Sequence, residues 1–229
     1  PQSLINKAQY GRFAGHPKLG AADYKLSCHG LHERGAYTFC MCPGGTVVAA
    51  ASEKGGVIVN GMSSLARDGK NANSALLVGI EPKDFPSEHP LAGIYYQREI
   101  EHNAFLLGGG NYRAPAQLVG DFLAGKSSKE LGDVEPTCPT GVTLTDISEC
   151  LPQKVTATMK SAIVEMDKKL NGFNLYDAVL TAPETRSSSS VRIPRDESCQ
   201  CNVRGVYPCG EGAGYAGGIT SAAMDGLRM

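Results

Sequence analysis

The sequence of 229 residues lacks several features that would place it in a specialised class of protein. It contains no Trp, and 22 Lys and Arg residues against 23 Asp and Glu residues leave a formal net charge of -1. A nucleic-acid surface needs an excess of positive charge that displaces counterions, so this balance argues against binding to DNA or RNA. No stretch approaches the roughly 18 consecutive apolar residues of a transmembrane helix. We therefore expect neither a nucleic-acid partner nor a membrane protein.

The amino terminus also lacks the apolar core of a secretory signal peptide. The eight cysteines include no CxxC pair and form no dense framework, so we expect reduced thiols in a cytoplasmic protein. Because the chain starts at Pro1 without Met, we expect it to be a piece of a longer protein.

The chain is long enough for one large domain or two small ones. A protein of this length buries on folding roughly 70–75% of the surface that the unfolded chain exposes, which is enough for a hydrophobic core. Short apolar runs between glycine-rich turns predict an antiparallel sheet in the first third. Amphipathic periods predict a helical middle, and the tail returns to short strands before a last helix. The predicted strands cover residues 36–42, 46–51, 56–60, 75–80, 178–181, 191–193 and 203–206, and the predicted helices start at Pro90, Pro115, Asp146, Val155 and Ile219. The predicted class is α+β.

The most informative segment is the glycine-rich stretch 210–219, which contains G-x-G-x-x-G at Gly212, Gly214 and Gly217. Alone, this pattern suggests the opening turn of a Rossmann unit, but only 12 residues follow Gly217, too few for the rest of that unit. The remaining chemical interpretation is a strand that delivers Gly210 and Glu211, followed by a helix that points its N–H groups at an anionic or carbonyl-bearing ligand. A glycine-rich turn without a ligand is the alternative.

Several segments together resemble the bacterial FAD-dependent dehydrogenases, also called NAD(FAD)-utilising dehydrogenases. The resemblance rests on residues 40–45, 60–63, 66–73, 109–117, 184–186 and 207–218. It implies a split flavin domain: residues 1–195 form the insert, or substrate-side, domain, and residues 196–229 are the returning strand and helix of the FAD/NAD(P)-binding domain. The other dinucleotide-binding half, with its own GxGxxG, is absent from this sequence.

The resemblance also implies a function, namely transfer of hydride equivalents between FAD and a small metabolite in the full-length parent, with NAD(P)H as a possible electron partner. The isolated fragment is expected to be inactive. Glu211 would bind the ribityl or pyrophosphate region of FAD, and the helix after Gly218 would face the flavin ring. The implied cofactor residues are Gly210, Glu211, Gly212, Gly214, Gly217, Gly218 and Ile219. The alternative is a non-catalytic module that binds a ligand or self-associates into a homo-oligomer.

Arginines at positions 186, 192 and 195 flank a tract of four serines. A guanidinium with neighbouring hydroxyls suits a carboxylate or phosphate, so Arg186 and Arg192 are candidate substrate anchors. A polar loop with surface ion pairs is the alternative.

Cys40 and Cys42 precede a Pro-Gly-Gly turn, and a thiol beside a flavin can relay electrons if its pKa is depressed. The alternative is a strand with small buried residues. The same pair with Cys199 and Cys201 gives four thiols, but C-x-C spacing is wrong for a usual zinc knuckle, so no metal is expected. Cys28, His29 and His32 are interpreted as a solvated loop.

Overall fold

The computed structural model describes residues 1–229, which divide into two compact units. The first unit comprises residues 1–80 and 100–184, and the second comprises residues 81–99 and 185–229. The predicted domain boundary at residue 195 does not coincide with this division. That boundary separates the insert domain from the flavin domain of the parent, and it stays a prediction.

The elements follow one another as an α+β chain. The helices are α1 (Gln2–Tyr10), α2 (Ala92–Leu107), α3 (Val119–Ala124), α4 (Gln153–Asp167) and α5 (Ile219–Arg228). The strands are β1 (Ser27–Leu31), β2 (Arg34–Cys42), β3 (Gly45–Ala49), β4 (Val59–Ser63), β5 (Asn73–Val78), β6 (Ala114–Leu118), β7 (Val142–Leu144) and β8 (Val179–Thr181). Single 3₁₀ turns cover Gly11–Phe13, Pro82–Asp84 and Ile147–Glu149.

All eight strands lie in the first unit, in three small sheets. Strands β1, β2 and β5 form an antiparallel sheet in that order, and β3 and β4 form a two-stranded antiparallel ribbon. In the third sheet, β6 lies between β7 and β8, parallel to the former and antiparallel to the latter. The predicted antiparallel front of the chain is therefore confirmed.

Helix α4 connects two apolar clusters of the first unit because its buried residues recur every three or four positions. Met159 and Ile163 pack in a cluster with Phe122, whereas Ala162 and Met166 pack in a second cluster with Ala36 of β2. Burial of each large apolar side chain contributes about 1.5–3 kcal/mol. Replacing Ile163 or Met166 with Ala would therefore open a cavity in the core of this unit.

The second unit has little regular structure apart from the start of α2 and the whole of α5. Gln97 on α2 ties its two chain segments together: its amide nitrogen donates to the Thr185 carbonyl at 2.9 Å, and its amide oxygen accepts from the Ser190 hydroxyl at 3.1 Å. Residues 182–218 contain neither a helix nor a strand.

Several predicted elements are wrong. Residues 191–193 and 203–206 are not strands, because no neighbouring strand pairs with them; the second run closes a turn in which Val206 N donates to Val203 O at 3.1 Å. The predicted helix at Pro115 is strand β6 followed by α3. Cys28 and His29 lie in β1 and not in a solvated loop, and Cys28 is buried.

None of the helices combines the length and the apolar character needed to cross a lipid bilayer.

Candidate functional site

The glycine-rich stretch of the second unit begins with a tight turn. Tyr215 N donates to Gly210 O at 3.0 Å and Gly214 N donates to Glu211 O at 2.9 Å, the pair of bonds that defines a Schellman motif. Gly214 has a φ of +82°, where a side chain is strained, and a Cβ there would lie 2.5 Å from Val191 O. Glycine is therefore required at this position by both conformation and space.

Helix α5 begins directly after this stretch, at Ile219, as the sequence predicts. Gly218 offers no side chain to cap it, and the first intrahelical bond runs from Ala222 N to Gly218 O at 2.9 Å. The N–H groups before Ala222 have no partner within the helix. A Cβ at Gly212 or Gly217 would meet nothing within 4 Å, so the backbone is open to an approaching molecule.

A buried ion pair fixes the start of the turn. Arg195 donates from Nη2 to Asp225 Oδ1 at 2.7 Å and from Nη1 to Asp225 Oδ2 at 3.0 Å. The same Arg195 nitrogen Nη1 donates to Pro208 O at 2.9 Å, and Gly210 N donates to Asp225 Oδ2 at 2.9 Å. The guanidinium, assisted by the Gly210 N–H, lowers the pKa of Asp225 to about 2.

Tyr215, at the end of the turn, binds the preceding loop. Its hydroxyl donates to Ile193 O at 3.0 Å, and the guanidinium carbons of Arg192 and Arg195 lie 4.2 and 3.7 Å from its ring centroid. Such cation–π contacts are strongest when the cation is shielded from water. The loop, the turn and α5 are thus held together by a few polar side chains.

The predicted cofactor and substrate residues of this unit differ in their exposure to solvent. Gly210 is buried, Glu211, Gly214 and Gly218 are half-buried, and Gly212 and Gly217 are exposed, while 87% of Ile219 is exposed. The predicted strand before Gly210 is absent, so irregular backbone brings Glu211 to the turn. Arg186 is half-buried, and Arg192 is exposed beside the turn.

Cys40 and Cys42 lie at the end of β2, where a bulge interrupts the pairing with β5. Cys40 is exposed with a φ of +44°, and the half-buried Cys42 donates from its thiol to the Cys40 carbonyl at 3.1 Å. Burial raises the pKa of the Cys42 thiol, which is the opposite of what a redox-active thiolate needs. No two of the eight cysteines form a disulfide bond. No three or more His, Cys, Asp or Glu side chains are grouped as the ligands of a metal ion would be.

Comparison with known proteins decides the family. A family model described as "FAD-dependent protein, C-terminal domain-like" matches residues 1–187. The chain belongs to this FAD-dependent protein family. The match covers the whole of the first unit and ends before the glycine turn.

A relative of this chain occurs in Clostridium beijerinckii under the description "Uncharacterized protein", with 53% identity over 231 residues. The alignment covers 100% of this chain but 43% of the relative, so the chain spans less than half the length of the curated relative it matches.

Two features were missed by the sequence reasoning. The first is Asp225, whose partner Arg195 precedes it by 30 residues; the available signal was a single acidic residue in a short helix. The second is Glu184, whose half-buried carboxyl group has a pKa raised by burial to about 7. Glu184 belongs to segment 184–186 of the family resemblance, but no pattern in the sequence indicates that its side chain is partly buried.

Proposed function

We propose that this chain is part of an FAD-dependent oxidoreductase that moves hydride equivalents between FAD and a small metabolite. The family supports the flavin, and the observation that carries the location of the cofactor is the open glycine turn in front of the uncapped start of α5. In this proposal residues 1–195 are the substrate-side domain and residues 196–229 complete a split flavin domain whose other half belongs to the rest of the parent.

The residues present fit such a cofactor. A Cβ atom added at Gly212 or Gly217 would meet nothing within 4 Å. A flat or branched polar molecule can therefore approach the backbone at these two residues. Unpaired N–H groups and the positive end of the helix dipole favour a phosphate or a carbonyl oxygen at Gly218 and Ile219. Glu211 is half-buried beside them and can accept hydrogen bonds from ribityl hydroxyls.

FAD, when bound, supplies the two-electron acceptor or donor of the reaction. The contribution of this chain is then to bind and orient: the turn holds the cofactor, and Arg195 and Asp225 keep the turn in shape. Arg186 and Arg192 remain candidate anchors for an anionic substrate group, and NAD(P)H remains a predicted electron partner.

The test uses the whole protein, purified gently and examined for flavin absorbance at about 450 nm. Glu211→Ala removes the proposed ribityl acceptor and should lower the flavin content after dialysis, because a donor on the cofactor then loses its partner. Glu197→Ala is the matched control, since Glu197 is an exposed glutamate of the same unit. A colourless whole protein that also fails to bind added FAD contradicts the proposal.

Replacing Arg186 tests the substrate anchor separately. In a flavin-containing whole protein, Arg186→Lys should raise KM or lower kcat and leave the flavin content unchanged, since lysine lacks the planar fork of arginine. Loss of flavin in this variant would instead assign Arg186 to the cofactor.

A further inference from the structure

The first unit contains a group of polar side chains that is here called the Cys42 cluster. Its residues belong to other segments of the sequence than the glycine turn, which is part of the second unit. Its members come from β2, β4, β5, the loop between the latter two, and the segment after β8: Cys42, Ser63, Arg67, Asn73 and Glu184. Four of the segments that carried the family resemblance therefore meet at one place.

Two glycines of the ribbon close over the cluster. Cys42 pairs with Asn73 between β2 and β5, and a Cβ at Gly61 would lie 3.1 Å from the Cys42 sulfur and 2.0 Å from Asn73 Oδ1. A Cβ at Gly45 would lie 2.8 Å from Asn73 Nδ2. Only glycine at these positions lets the ribbon backbone contact both side chains.

Glu184 is brought to the cluster by the strand pairing around it. Val59 N, at the start of β4, donates to Pro183 O at 2.9 Å and fixes the residue before Glu184. The Glu184 carboxylate is close enough to Cys42 to disfavour its thiolate. Burial alone raises the pKa of Glu184, and no cationic side chain of this chain opposes that rise.

Two polar groups of the cluster have no partner. The amide nitrogen of Asn73 is buried and makes no hydrogen bond. The half-buried carboxyl group of Glu184 has neither a hydrogen bond nor an ion pair. A buried donor without a partner is rare in folded proteins, so Asn73 Nδ2 is expected to meet an acceptor, and the Glu184 carboxylate a donor, from outside this chain.

Backbone strain occurs at the same place. Cys40 and Arg67 have φ values of +44° and +51°, although neither is glycine. The Arg67 backbone lies so close to Gly44 that a Cβ on this glycine would meet the Arg67 carbonyl carbon at 2.3 Å. Non-glycine residues in this region are uncommon and concentrate at functional sites.

We propose that the Cys42 cluster is a ligand-binding site in which the Glu184 carboxylate binds the protonated amine of a small molecule. A carboxylate without a counter-ion gains most from a cationic donor, since a charge-assisted hydrogen bond is roughly twice as strong as a neutral one. This inference goes beyond the proposed function and does not rest on it, since the site consists of residues of the first unit.

The test measures the Glu184 carboxyl group itself, by carbon-13 NMR of the chain labelled at glutamate Cδ. The probe is ethylammonium chloride, with ethanol as a neutral molecule of similar size. Ethylammonium should move the Glu184 resonance and bind about tenfold or more tightly at pH 8 than at pH 5.5, since the carboxyl ionises in between. The other groups of the cluster that carry or can carry charge are Arg67 and Cys42, and the raised pKa of Cys42 keeps its thiol protonated for most of this range.

Glu184→Gln should abolish this binding, whereas Glu130→Gln, which changes an exposed glutamate of the same unit, should leave it unchanged. Glu184→Asp keeps the charge and should retain part of the affinity, which separates loss of the ligand contact from loss of the fold. Equal binding of ethanol, or unchanged binding in Glu184→Gln, would overturn the inference.

A second arm distinguishes a small molecule from a Lys or Arg side chain elsewhere in the whole protein. If the whole protein binds ethylammonium as the chain does, the site is free for a ligand. If the whole protein has lost this binding, an internal cation occupies Glu184 and the inference is wrong. A whole protein that binds the amine but no flavin would keep this site and contradict only the proposed oxidoreductase.

Discussion

Arg195 and Asp225 form a two-point ion pair across 30 residues of chain, with nitrogen–oxygen distances of 2.7 and 3.0 Å. Side-chain exposures of 14% and 8% show that both groups are largely withdrawn from water. Because Asp225 also accepts from Gly210 N, this pair connects the loop, the glycine turn and α5.

Asp225→Asn should loosen the turn. The amide keeps the volume but gives Arg195 one acceptor oxygen in place of two and removes the charge, so the bond from Gly210 N weakens. Amide hydrogen exchange at Gly210, Gly214 and Tyr215 should then accelerate on the order of tenfold, as expected for the loss of a charged partner. Asp196→Asn changes another aspartate of the same unit, and equal exchange in both variants would contradict this role.

Acid should release the same contact. The pKa of Asp225 is lowered to about 2, so its contribution to stability is complete above the ordinary aspartate value of about 3.9 and is lost as the pH falls through 2. Tyrosine fluorescence and amide exchange of the second unit should therefore change between about pH 4 and pH 2. A transition confined to higher pH would assign acid sensitivity to other groups.

The ionisation of Glu184 should change the stability with pH in the direction opposite to that of Asp225. Its pKa rises from 4.5 to about 7 on folding, so the folded chain binds the proton more tightly and its stability falls as the pH rises through this range. Thermal unfolding between pH 4.5 and 7.5 should show a decline that Glu184→Gln removes. Glu130→Gln should keep the decline, and a parallel loss in both variants would exclude Glu184 as its source.

Gly61→Ala should destabilise the first unit, because the added methyl group would lie 2.0 Å from Asn73 Oδ1. Overpacking of this kind costs about 1–3 kcal/mol of unfolding free energy, measured by urea denaturation. Gly20→Ala is the control, since a Cβ at Gly20 meets nothing within 4 Å. Similar stabilities for the two variants would show that the contact with Asn73 is relieved by a small shift.

The sequence predicted those elements whose signal is local. Helices α2, α4 and α5 carry their own apolar period, and Asp146 accepts from Ser148 N at the start of its short helix as a cap should. The predicted strand at residues 203–206 is wrong because valine favours a strand only where a partner strand exists. Strand β6 was mistaken for a helix because Pro115 is typical of a first helical turn, whereas burial of all five residues between β7 and β8 decides its structure.

For the candidate site, the position of the glycine turn and the start of α5 were predictable, because glycines followed by an apolar helical run are a local pattern. The pairing of Arg195 with Asp225 was not, since no period or motif relates residues 30 positions apart. The same holds for Glu184, because the preceding Pro183 accepts a hydrogen bond from Val59 N, more than 120 residues earlier in the chain.

The second unit is discontinuous, built from residues 81–99 and 185–229. During synthesis the earlier stretch leaves the ribosome first, and Gln97 meets its partners only when residues 185–190 emerge. Synthesis that stops before residue 185 would leave this stretch without its partners, a natural substrate for chaperones and proteases.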